Sequence, residues 1–242
     1  MQPTIRGLAA ALTTALLLGA CGGDHPARGT AASTTTSSNA TATSAGLATR
    51  PPDEIARAAY DAYRSARSVH ARVQARQGAG ADAPGPMDLT LTRDGAQGWI
   101  AQPGGVRMNV ISTGGSIYVR GREFWARQGG ADLARRFDDR WVLFASAGSP
   151  QAAPFAKYLT IDGFAQFLAL LRTPFDAGGR STASVAGVPV VRLRSSLGTC
   201  DVAATGKPYP LRVDLGDQGR IELSGYDRQV AIQAPPGALR VG

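Results

Sequence analysis

Val69-His70-Ala71-Arg72-Val73-Gln74-Ala75-Arg76 alternates small or branched apolar residues with polar ones, and that period of two decides the fold. Successive side chains of an extended chain point to opposite faces, so the stretch is a strand with one dry and one wet face. The segment before it follows another period. Pro51-Pro52-Asp53-Glu54 puts proline and acids at a helix start, where a missing N–H costs little and negative charge suits the helix dipole. Ile55, Ala58, Ala59, Ala62 and Tyr63 then recur at helical spacing, which predicts a short amphipathic helix over 53–67.

Downstream, alternation repeats. Met87, Leu89 and Leu91 share one face, and Val106, Met108 and Val110 share another. Residues 98–101 and 116–120 read as further strands, with 123–126 continuing the latter. Gly-Gly pairs at 104–105 and 114–115 mark hairpin corners, so consecutive strands pair antiparallel as a meander. The middle is less regular, with a short strand or loop at 141–144. Residues 158–171 predict the clearest helix, its stripe of Ile161, Phe164, Leu168 and Leu171 widened by Phe167 and Leu170. Strands return at 181–186, 188–195, 200–204, 210–215, 219–224 and 228–233. The expected fold is α+β: about ten or eleven strands in one strongly curved antiparallel sheet, wrapped over one to three helices.

The ends of the chain are unlike this body. Arg6 is the single charge in residues 1–20, and an apolar run extends over 8–20. As a helix it would be roughly 20 Å long, short of the ~30 Å hydrocarbon core of a bilayer, so it reads as an export signal. Of the 16 residues at 30–45, ten are Ser or Thr and the rest Ala plus Asn39, a composition that offers nothing to bury. Three parts are therefore expected: a signal peptide at 1–20, Cys21 with a disordered tether to 50, and a folded domain at 51–242.

Composition excludes several chemistries. Two cysteines and two histidines in 242 residues do not make a zinc cluster, an iron–sulfur centre or a disulfide framework, so no metal and no cofactor is expected. The formal charge of +8 would suit anionic partners, but an exported domain argues against nucleic acid. A hydrolytic set would have to use His70, since His25 lies in the tether, and no Gly-x-Ser-x-Gly elbow is present. Asp138-Asp139 reads as a solvated loop or helix end, and Cys200 as a buried, inert thiol. No catalytic residue is expected.

Leu18-Gly19-Ala20-Cys21 resembles the lipobox of bacterial lipoproteins, which implies cleavage before Cys21 and diacylation of its thiol. Two chains suffice for stable anchoring where one does not. The strand start Ser68-Val69-His70, Gly115-Ser116-Ile117-Tyr118-Val119, Arg140-Trp141-Val142, Thr205-Gly206-Lys207-Pro208-Tyr209-Pro210-Leu211 and the ending Ser224-Gly225-Tyr226-Asp227 extend the likeness. Over residues 53–236 the chain resembles the actinobacterial lipoproteins of the LppX/LprG type, with their LolA-like half-barrel. The resemblance implies a non-enzymatic, membrane-anchored extracytoplasmic protein that takes the acyl part of a lipid or lipoglycan into an apolar cavity and carries or presents it, with an envelope transporter as a further partner. The residues expected to line that cavity are Leu89, Leu91, Trp99, Met108, Val110, Ile117, Val119, Phe164, Leu168 and Leu171. Arg72, Arg107, Arg120 and Arg122 are placed to meet anionic headgroups or solvent. The alternative expectation is a sensor or scaffold of the same fold that binds a protein partner.

Overall fold

The computed structural model describes residues 46–75, 85–102, 104–146, 150 and 158–240. The signal segment, Cys21 and the Ser/Thr-rich tether up to residue 45 lie outside the described residues. So does Arg76.

In chain order the elements are α1 (Pro52–Ser65), β1 (Ser68–Ala75), β2 (Met87–Thr92), β3 (Ala96–Ala101), β4 (Arg107–Thr113) and β5 (Ser116–Arg120). Then come α2 (Arg122–Phe137), β6 (Val142–Ser146) and α3 (Ile161–Phe164), which runs straight into a 3₁₀ stretch (Ala165–Arg172). β7 (Arg180–Val185), β8 (Val188–Ser195), β9 (Gly198–Ala203), β10 (Pro210–Asp214), β11 (Gly219–Ser224) and β12 (Leu239–Arg240) complete the chain. All twelve strands form one sheet in the order β12-β6-β5-β4-β3-β2-β1-β11-β10-β9-β8-β7. Every pairing is antiparallel except β12 on β6. The sheet is curved and unclosed, an α+β half-barrel.

The two-residue period sets which side is dry. Val69, Ala71 and Val73 of β1 pair with Leu91, Leu89 and Met87 of β2, while Ala71 and Val73 pair with Leu223 and Ile221 of β11. All are buried. Against this face lies the helical layer. Ile55, Ala59 and Tyr63, four residues apart on α1, are wholly buried, and α1 packs on the 3₁₀ stretch and on α3. Pro52 opens α1 with Asp53 and Glu54 in its first turn, and the Asp53 carboxylate accepts from the Phe175 N–H at 2.9 Å. Burial of each large aliphatic side chain here contributes about 1.5–3 kcal/mol.

Leu47 and Ala48, just before residue 51, already pack on the core. Three expectations change. Residues 123–126 are helix, not strand: α2 buries the adjacent Phe124 and Trp125, a pairing that one face of a strand cannot make. The 158–171 segment is not one α-helix. It is a single turn, N-capped by Thr160 Oγ1 accepting from Gly163 N at 3.0 Å, followed by 3₁₀ geometry with Leu168 off helical angles (φ −95°, ψ 22°). No strand forms at 228–233. The sheet instead gains β12, whose Leu239 and Arg240 pair with Val142 and Leu143. The Gly-Gly pair at 129–130 breaks α2 into two pieces, with Gly130 at φ 73°.

Candidate functional site

Nine of the ten residues expected to line a cavity stand together between the sheet and the helical layer: Leu89, Leu91, Met108, Val110, Ile117, Val119, Phe164, Leu168 and Leu171. Each is at most 2% accessible to water. A side chain with no accessible surface borders no void large enough for water, so in this conformation the space they enclose is filled by the protein's own side chains. Trp99 stands apart from the other nine. β3 pairs Gly98 with Leu89 on the dry side and Trp99 with Asp88 on the other, so the indole lies on the open face, beneath the Arg107 guanidinium at 3.8 Å.

The layer that shuts the space is thin. Runs of 3₁₀ helix longer than three or four residues are uncommon, because their hydrogen bonds are poorly aligned, and residues 165–172 keep to that as two short pieces meeting at a kink at Leu168. Polar and aromatic ties hold it beside its apolar packing. The Tyr63 hydroxyl, buried and pushed to a high pKa first by that burial, donates to the Ile161 carbonyl at 3.2 Å. Arg64 pairs with Asp162 at 3.1 Å in solvent. Tyr158 stacks on Phe167 with ring centres 5.1 Å apart. At the other end of the face, Phe124, Trp125, Phe137 and Phe144 form an aromatic cluster with centroid distances of 4.7–6.1 Å. The Trp125 Nε1 is buried there without a partner among the described residues.

Two of the motifs quoted above meet at one carboxylate. Asp227 Oδ2 accepts from the Tyr209 hydroxyl at 2.6 Å and from Lys207 Nζ at 2.9 Å, and Oδ1 accepts from the Arg67 N–H at 2.8 Å. The neighbouring rings of Tyr209 and Tyr226 stack 3.9 Å apart. These contacts join the α1–β1 corner, the β9–β10 connection and the end of β11. The motifs thus mark a joint in the scaffold, not a binding pocket. Beside it a polar groove of about 590 Å³, lined by Arg67, Arg93, Asp94 and Arg228 among others, lies under the chain that follows β11.

The open face carries a row of alternating charges. Reading across six strands, Arg192 faces Asp201, Asp201 faces Arg212, Arg212 faces Glu222, Glu222 faces Arg72 and Arg72 faces Asp88. Opposite charges directly across strands stabilise the pairing. Beyond Asp88 the row changes character: Trp99, Asn109 and Arg120 follow. Arg120 lies over the Trp141 ring at 5.0 Å. Of the four arginines singled out in the sequence, Arg72 and Arg120 have acidic partners at 2.9 and 4.0 Å.

His70 is half-buried, with Nε2 2.6 Å from Asp88 Oδ1 and Nδ1 3.3 Å from Ser224 Oγ. Sequence reading left it as a lone strand residue; the Ser224 and Asp88 contacts arise only from the pairing of β1 with both neighbours. The same Asp88 also accepts from Arg72 at 3.0 Å. Burial raises its carboxyl, but the bonds from His70 and Arg72 outweigh that and leave it below the ordinary range. A carboxylate committed twice to cross-strand bonds serves the sheet rather than a nucleophile. Among the described residues no cluster of three metal-ligating side chains occurs, and no helix is long and apolar enough to cross a membrane.

Fold and faces together define a class: an open half-barrel with one side closed by helices over apolar residues and the other polar. The crystal structure of LprF from Mycobacterium bovis has this fold. It matches with a TM-score of 0.50 at 17% identity, covering 77% of this chain and 97% of that one. The lipoprotein LppX of Mycobacterium tuberculosis matches at a TM-score of 0.46 and 18% identity, over 75% of this chain and 98% of that one. The half-barrel expected from the likeness to LppX/LprG-type lipoproteins is the fold observed. No protein-family model matches the chain. No curated protein matches it either.

Proposed function

We propose that this chain is a non-enzymatic lipoprotein, anchored through diacylated Cys21 at the extracytoplasmic face of the membrane. In this reading the acyl part of a lipid or lipoglycan inserts between the sheet and the helical layer, and the protein carries or presents it in the envelope. One observation carries it: a continuous apolar sheet face is covered in part by two short 3₁₀ pieces kinked at Leu168, whose hydrogen bonds are poorer than those of an α-helix. Displacing Phe164, Leu168 and Leu171 would exchange their contacts for a hydrocarbon tail at ~0.8 kcal/mol per buried CH₂. An envelope transporter would then load or unload the tail.

Native mass spectrometry of the intact protein, and titration with a fluorescent fatty acid, test the reading. Co-purified lipid or saturable uptake is expected; absence of both removes it. A second reading, a sensor or scaffold binding a protein partner, is favoured by the dry interior around Leu89, Met108 and Ile117. It would be supported by a stable partner recovered from cells together with no acyl binding.

A further inference from the structure

We propose that the open face of the sheet, across from the helical layer, carries a binding trough for a neutral saccharide chain. Two grooves on that face are continuous. One, of about 360 Å³, is lined by Trp99, Trp141, Asn109, Thr90 and Gln97, among others. The second, of about 350 Å³, shares Thr90 and Gln97 and continues to His70, Ser224 and Arg228. Either volume alone falls within the ~300–1,000 Å³ of ordinary small-ligand sites.

The floor is unlike the rest of the face. Elsewhere the outward side chains are charged and paired: Arg192 with Asp201 at 2.7 Å, Arg212 with Glu222 at 3.6 Å, Arg72 with Asp88 at 2.9 Å. In the trough the side chains of Thr90, Gln97 and Asn109 have no hydrogen-bond partner among the described residues. Nor have the indole N–H groups of Trp99 and Trp141. The groups left unengaged on the floor are thus neutral donors and acceptors beside two large flat rings, with the Arg228 guanidinium at one end. The Arg107 guanidinium, 3.8 Å from the Trp99 ring centre, covers one side of that ring and holds it in place.

This chemistry selects its ligand. An acyl tail would leave the amides and the hydroxyl unpaired, at a cost. A bare phosphate or carboxylate could pair with Arg228 or Arg107 at the edge of the trough, but it would leave the indole faces and the amides between them unused. A pyranose chain offers apolar C–H faces to indoles and hydroxyls to amides. Strands lie ~4.8 Å apart, comparable to one pyranose repeat, so a chain crossing the strands would meet the row of Thr90, Gln97 and its neighbours one sugar at a time.

The proposal does not depend on the acyl reading, since the trough lies on the opposite face. Intact protein is titrated with cellopentaose, maltopentaose and mannopentaose, following intrinsic tryptophan fluorescence and heat. In parallel, vesicles of digalactosyl diacylglycerol are compared with plain phosphatidylcholine vesicles, which separates a glycolipid headgroup from a free glycan. Saturable binding of at least one saccharide, free or on vesicles, is expected. Trp141→Ala and Gln97→Ala should weaken it by at least about tenfold. Trp125→Phe, in the buried cluster, should not, and fatty-acid uptake should be unchanged in the trough variants. The proposal is overturned if neither pentaoses nor glycolipid vesicles bind at millimolar sugar, or if binding survives both trough substitutions. Thermal melts of the variants ensure that a loss is not unfolding.

Discussion

Asp201 is 1% exposed and faces Arg192 across β8 and β9, accepting from Nε at 2.7 Å and Nη2 at 2.9 Å. The two partners are not equivalent, since a third of the arginine side chain reaches solvent and the carboxylate does not. Arg192→Ala would strand a buried charge, expected to cost about 3–5 kcal/mol. Asp201→Ala leaves an arginine that can turn to water, expected to cost only about 1.5–3 kcal/mol. Urea denaturation of both variants checks the order; equal losses would show that the pair is more accessible than its geometry implies.

Asp227 predicts a pH dependence. Bonds from the Tyr209 hydroxyl, the Arg67 N–H and the Lys207 ammonium hold its carboxyl well below the usual carboxylate range. A group more acidic in the folded than in the unfolded chain adds stability that is fully present above the unfolded pKa of ~3.9 and fades as pH falls through and below it. Wild type should therefore exceed Asp227→Asn in stability at pH 6, and the gap should narrow by pH 3. A gap constant with pH would mean that the carboxylate's charge contributes nothing to the joint.

The 3₁₀ cover should open before the sheet does. Amides of residues 161–172 are expected to exchange with deuterium faster than those of β1, β2 and β11, whose ladders are central. A bound acyl ligand should slow the cover selectively. Uniform protection of both regions would argue that the cover is no gate.

Cys200 lies on the apolar face of β9, wholly buried, and burial pushes its thiol far above the ordinary range. If Cys21 is acylated as proposed, a thiol reagent should find nothing to react with in the folded protein, and Cys200 alone after denaturation. Rapid labelling under native conditions would reveal either frequent opening or a free Cys21.

Local pattern was readable where one signal acted alone. Helix α1 follows from Pro52, the acids after it and the four-residue recurrence of Ile55, Ala59 and Tyr63. The β1–β2 hairpin and the dry sides of β4 and β5 follow from strict alternation. Failures came where signals competed. Phe124-Trp125 reads as the continuation of a strand, whereas both aromatics sit on the wide face of a helix that Gly129-Gly130 interrupt. The side that Trp99 faces is not legible locally, because a strand's phase slipped by one residue inverts every side chain; the pairing of Gly98 with Leu89 sets it.

By itself, the amino-acid order determined an α+β chain with a meandering sheet, a greasy side and an early helix. These follow from periods of two and nearly four, properties of neighbouring residues. What tertiary structure alone decided is where distant residues meet: Asp227 with Lys207 and Tyr209, His70 between Asp88 and Ser224, and the charged row from Arg192 to Asp88. It also decided that the apolar space is occupied, since filling depends on how the helical layer seats against the sheet. Packing is a sum over residues far apart in the chain, and no local period encodes it.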